Sequence, residues 1–114
     1  MGLPTPGADI NMGAPGTTKA ITLGNAWQQF AALVDPVNAP DIKVGAQPAG
    51  SALFSCTVYA MQIAFAETTP LSAGHPMETG EHMRLSYGAY RLAWVKNNTA
   101  GSNAVMIVTP EVNT

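Results

Sequence analysis

Apolar and polar positions alternate with period two over several short runs of this chain, and Gly, Pro and Asn fall between the runs. Ile21 and Leu23 flank Thr22 before Gly24, the pattern of a short strand. In NAWQQFAALVDP, residues 25–36, Trp27, Phe30, Ala31 and Val34 fall at helical spacing, and Asn25 with Gln28 imitates a capping box. A short helix ending before Asp35-Pro36 competes there with a strand tail and a loop anchor, and periodicity does not separate them. Residues 37–50 read as loop around one strand candidate, Ile42 to Val44. SALFSCTVYAMQIAF, residues 51–65, places Phe54, Cys56 and Val58 on one face and then Met61, Ile63 and Phe65 on the other, with a phase slip near Tyr59-Ala60. A helical stripe through Phe54, Val58, Met61 and Phe65 is the competitor. Thr57, Val58, Tyr59 and Ile63 favour a strand with a bulge, or one buried on both faces.

Met83, Leu85 and Tyr87 alternate with Arg84 and Ser86, a half-buried strand closed by Gly88. Tyr90, Leu92 and Trp94 then alternate with Arg91, Ala93 and Val95, and Val105 and Ile107 with Met106 and Val108. NNTAGSN between them supplies residues that tolerate a hairpin tip. Tyr90 to Lys96 is therefore expected to pair with Ala104 to Pro110 and seal one sheet edge, with Ile107 inside and Pro110 stopping the strand. Short strands at turn-punctuated spacing, with at most one short helix, predict an all-β fold: a small antiparallel β-sandwich or jelly-roll-like barrel.

Pro4, Pro6, Pro15, Gly2, Gly7, Gly13 and Gly16 crowd the first seventeen positions, so residues 1–17 read as an extended N-terminal arm and 18–114 as a single domain. Charged residues are 11% of the chain and hydrophobic ones 46%, so little charge is available to cover a monomer and association into a homo-oligomer is expected. The formal net charge is −2 and the cations are scattered, which argues against nucleic acid as a partner. No apolar run approaches a membrane span of about 18 residues, and no secretory leader precedes the body, so synthesis in a cytoplasm is expected.

Candidate chemistry is sparse. HPMETGEH carries His75, Glu78, Glu81 and His82, but Pro76 and Gly80 oppose a helix and the spacing matches no zinc motif. Cys56 lies in an apolar run and reads as a buried hydrophobe. No nucleophile elbow or phosphate loop is present, and the three Asp and four Glu lie too far apart in sequence to argue a carboxylate pair. An enzyme is not expected, nor a catalytic residue, metal site or cofactor. Trp27, Tyr59, Tyr87, Tyr90 and Trp94 could form a stacking platform for sugar, or core and subunit contacts.

The order ITLGNAW, FSCTVYAMQIAF, PLSAGHPM and YRLAWVKNNTAGSNAVMIV resembles small β-sandwich structural proteins of tailed bacteriophages. The matching positions are Leu71 to Gly74, Trp94 to Lys96 and Thr99 to Gly101, and the likeness in layout covers roughly residues 18–112. The HPMETGEH segment and the long arm depart from that pattern. The resemblance implies a virion structural protein without enzymatic activity or cofactor, most simply a capsid decoration or cement protein. It also implies a homotrimer in contact with the major capsid protein or neighbouring virion subunits. A tail or fibre-attachment component is the alternative, and a carbohydrate-binding module using Trp27, Tyr90 or Trp94 the second.

Overall fold

The computed structural model describes residues 14–112, and side chains from Gly16 onward; the expected arm as far as residue 13 lies outside this span. In chain order the elements are β1 (Ala14–Pro15), β2 (Lys19–Thr22), β3 (Gln28–Gln29), α1 (Phe30–Val34), β4 (Lys43–Val44) and β5 (Gln47–Pro48). There follow β6 (Ser51–Val58), β7 (Met61–Phe65), β8 (His75–Met77), β9 (His82–Ser86), α2 (Tyr87–Leu92), β10 (Ala93–Asn97) and β11 (Val105–Val112). The fold is mostly β, as expected, with three antiparallel sheets and with two short helices where at most one was expected.

In the largest sheet β11 pairs with β6 and β6 with β9, while β1 and β2 lie one after the other along the free side of β11. The second sheet runs β3, β10, β7, β8, and β4 with β5 makes a separate small hairpin. Alternation decides what each sheet buries. Ala52, Phe54 and Cys56 of β6 and Met106 and Val108 of β11 are buried, as are Met61 and Ile63 of β7 and Ala93 and Val95 of β10. These residues share one hydrophobic cluster with Phe30, Ala31 and Val34 of α1. The Phe30 and Phe54 rings meet at 5.1 Å between centroids, a tilted pair worth about 1 kcal/mol beyond its burial.

The predicted final hairpin does not form. β10 pairs with β7 and β3, and β11 pairs with β6, β2 and β1, so Tyr90 to Lys96 and Ala104 to Pro110 lie in different sheets. Tyr90, expected in a strand with Leu92 and Trp94, belongs to α2, whose N-cap Ser86 accepts a hydrogen bond from the Ala89 N–H at 3.4 Å. That helix carries the Tyr90 ring inward, where its hydroxyl donates to the Ala49 carbonyl at 2.7 Å. Ile107 is half-buried on the outer face of β11; Met106 and Val108 point inward instead. β11 also continues through Pro110. The Pro110 carbonyl accepts from Gly16 N at 2.6 Å, so its missing N–H faces the break between β1 and β2 and leaves the ladder to β6 intact.

The run 51–65 is two strands rather than one. Tyr59, with φ 56°, turns the chain out of β6, and β7 begins two residues later in the other sheet. The phase slip in the sequence marks this crossing. An irregularity also exists, but within β6, where Thr57 has no partner between the pairs Val58–Val105 and Cys56–Met106.

Three crossings between the two large sheets gather at one end of the molecule: β6 to β7, β8 to β9 and β10 to β11. They are tied together by backbone hydrogen bonds from Gly80 N to Cys56 O (2.7 Å), Cys56 N to Glu81 O (2.9 Å) and Asn98 N to Ala60 O (3.1 Å).

Candidate functional site

HPMETGEH forms one of these crossings. His75 opens β8 in one sheet, His82 opens β9 in the other, and the intervening turn uses Gly80 at φ 95°. The Glu81 carboxylate accepts from Glu78 N at 2.7 Å, so this acid braces the turn. Among the described residues no group of three or more His, Cys, Asp or Glu side chains is placed to hold a metal ion. Cys56 is buried, donates from Sγ to the Tyr59 carbonyl at 2.9 Å, and has its thiol pKa pushed up, chiefly by burial.

The five candidate aromatics do not converge. Tyr90 has no exposed surface, and burial pushes its phenol pKa upward. Tyr87 stands edge-on to it at 5.6 Å, donates to Asp41 Oδ1 at 3.0 Å and lies under the Arg91 guanidinium at 5.1 Å. Arg91 Nε in turn pairs with Asp41 Oδ1 at 3.1 Å. Tyr59 is at the opposite, crossing end of the molecule. Only Trp27 and Trp94 share a face, the outside of the smaller large sheet. There Lys96 Nζ sits 5.1 Å from the Trp27 ring centre, and Trp94 Nε1 donates to the Ala66 carbonyl at 2.9 Å. Both indoles are half-buried. Gly74, within the Leu71 to Gly74 motif, lies under Trp27: a Cβ there would stand 2.7 Å from the indole Cη2 and 2.5 Å from the Ile63 carbonyl oxygen.

The Asn-rich connection carries a buried polar cluster that spacing did not single out. Asn97 is 3% exposed, and its Nδ2 donates to Asn25 Oδ1 (2.9 Å) and Asn103 Oδ1 (2.8 Å). Its Oδ1 accepts from Ala104 N at 2.8 Å, and Asn25 Oδ1 also accepts from Gly101 N at 3.0 Å. Asn25 therefore pins this loop instead of capping a helix. Thr99 to Gly101 is the loop's tip, with Gly101 at φ 85°.

Two surfaces remain. The outer face of the largest sheet sets Ala20, Ile107, Ser55 and His82 in one cross-strand row and, beside it, Thr109, Leu53 and Arg84 in the next. Thr18 joins the second row through a hydroxyl contact of 2.8 Å to Thr109. Among the described residues its one ion pair is Arg84 Nε to Glu111 Oε1 at 2.9 Å, and Arg84, helped by Ser51, holds the Glu111 carboxyl below its ordinary pKa. The second surface is a cleft of about 520 Å³ between the β1–β2 edge, the end of α1 and the β4–β5 hairpin. Its apolar wall is Val34, Ile42 and Val44, and its polar wall Lys19, Asp35 and Lys43. Lys19 Nζ donates to the Val34 carbonyl at 2.7 Å. Burial alone would raise the Asp35 pKa, but hydrogen bonds from Lys43 N (3.0 Å) and Asn38 (2.9–3.2 Å) outweigh it, and the carboxyl is held low.

Comparison of the chain with known protein families, with curated proteins and with solved structures gives no match. No helix among the described residues is long and apolar enough to cross a membrane.

Proposed function

We propose that this chain is a non-enzymatic structural protein of a tailed-phage virion, a head decoration or cement protein. Its two large sheets pack as a β-sandwich, and it works as a homotrimer attached to neighbouring subunits through its N-terminal segment. The observation that carries the reading is the outer face of the largest sheet. Rows of Ser, Thr, Ala, Ile and Leu, with His82 at the end of one and a single ion pair among the described residues, suit burial against other protein subunits more than the recognition of a charged small molecule. The absence of convergent titratable groups in the sequence and the resemblance through Leu71 to Gly74, Trp94 to Lys96 and Thr99 to Gly101 support the same reading. The threefold symmetry and the head location come from that resemblance alone.

Co-sedimentation of the purified protein with capsids, and separately with tails, tests the reading. Binding to capsids is expected. Binding to tails only moves the protein to a tail or fibre-attachment role, and binding to neither removes the virion assignment. Light scattering should give a mass of about 35 kDa, three chains of 11.8 kDa.

A carbohydrate-binding role keeps one specific observation, the shared face of Trp27 and Trp94. Glycan binding lost in a folded Trp94→Ala variant would favour it.

A further inference from the structure

The cleft beside α1 and the β4–β5 hairpin has a size and a chemistry that call for an occupant. Its volume of about 520 Å³ falls within the roughly 300–1,000 Å³ typical of binding clefts. Lys19 and Lys43 stand against one acid, Asp35, which is already engaged by Asn38 and the Lys43 backbone. Among the described residues neither lysine side chain takes part in an ion pair. The wall opposite them is apolar. A partner for this cleft therefore carries a carboxylate close to aliphatic side chains.

Residues 1–13 of this chain have that composition. Asp9 is the only charged side chain among them, with Ile10 beside it and Leu3 and Met12 within a few residues. Position separates the copies. Ala14 lies opposite Val112 and Pro15 opposite Glu111, whereas the cleft is lined by the later Gly16, Thr17 and Lys19 and by Pro110. Within the described residues β1 runs toward the cleft, from Ala14 opposite Val112 to Gly16 on its rim. Thirteen residues at about 3.3 Å each span on the order of 40 Å, enough to reach another molecule.

We propose that residues 1–13 of one copy occupy the cleft of a second copy, with Asp9 between Lys19 and Lys43 and the neighbouring aliphatic side chains on Val34, Ile42 and Val44. The inference rests on the self-associating, arm-bearing reading above and names the site that such an arm uses. Electrostatic attraction sets its register, and the apolar wall supplies contact area.

Cross-linking between full-length chains tests it. The variants Asn11→Cys and Thr17→Cys, which keep Asp9, Lys19 and Lys43, are prepared separately and also combined in one chain; the two single variants are mixed and mildly oxidised, and Cys56 is buried and takes no part. The expected product is a disulfide joining the two different variants, a species of about 24 kDa, twice 11.8 kDa. It should form faster than either variant links to itself. Lys43→Glu should weaken self-association about tenfold by light scattering, and Asp9→Lys in the same chain should restore it. A disulfide formed only within a chain carrying both cysteines would place the segment in its own cleft and overturn the proposal. Absence of any cross-link, or unchanged association in Lys43→Glu, would also overturn it. Co-sedimentation of the wild-type protein with particles separates the two claims. Particle binding without the intermolecular cross-link sinks this inference alone, and the cross-link without particle binding sinks the virion role alone.

Discussion

Asn97 and Asn25 stand 72 positions apart and meet through a 2.9 Å hydrogen bond from Nδ2 to Oδ1. The bond fixes the path by which the chain leaves the smaller large sheet after β10 and enters the largest one as β11. Asn97→Ala removes it and leaves the buried Ala104 N–H without its acceptor. Destabilisation of about 2–3 kcal/mol is expected in urea melts, the cost of a lost buried bond plus an unsatisfied donor. A loss below about 0.5 kcal/mol would mean that this network does not hold the crossing.

The two faces of β11 should respond differently to charge. Val108 is fully buried and Ile107 lies on the outer face, so Val108→Asp should abolish folding while Ile107→Asp leaves a cooperatively melting protein. Circular dichroism melts decide it. Equal damage from both would show that the outer face is also covered.

Gly74 is needed for close approach rather than for a special backbone angle. Gly74→Ala pushes a methyl against the Ile63 carbonyl and the Trp27 ring, which should cost about 1–3 kcal/mol and shift the tryptophan fluorescence. A wild-type melting temperature with an unchanged spectrum would show that the loop yields freely.

Acid should weaken the fold through Glu111 and Asp35, whose folded pKa values both lie below their ordinary ones. A depressed carboxylate contributes fully above the ordinary carboxylate range, and the contribution is lost as pH falls through that range toward the folded values. Arg84 is about half exposed, so the Glu111 share should be no more than about 1 kcal/mol. Urea melts between about pH 7 and pH 3 should show the decline, and Glu111→Gln should flatten part of it. An identical pH profile in the variant would remove Glu111 from this account.

The elements of this fold are more legible in the sequence than their partners. Phe30, Ala31 and Val34 announce an inward-facing stripe, and α1 buries all three. The slip at Tyr59-Ala60 is visible too, but period two records only which side a residue faces and not which sheet it joins. The Asn-Gly segment after Trp94 illustrates the same limit: apolar runs flank it whether it closes a hairpin or crosses between sheets. Asn97 decides between these through Asn25, a partner no local window contains. On β11 both alternating sets are apolar, so Ile107 and Met106 look equally suited to the core. Tyr90 fits a strand pattern by spacing, while its actual position depends on the Ala49 carbonyl that receives its hydroxyl. Lys19, Asp35 and Lys43 gave no signal at all, because the fold alone brings them to one cleft.

β11 is the last strand among the described residues, yet it lies inside the largest sheet, with β6 on one side and β1 and β2 on the other. During synthesis the segments that become β1, β2 and β6 emerge from the ribosome long before the strand that joins them. The sheet can close only once residue 112 is outside the exit tunnel, so a nascent chain must keep these segments apart, or shielded, until that strand has emerged. Ribosomes stalled short of β11 should accordingly carry a protease-sensitive chain, and stalling with residue 112 well clear of the tunnel should make it resistant in a single step.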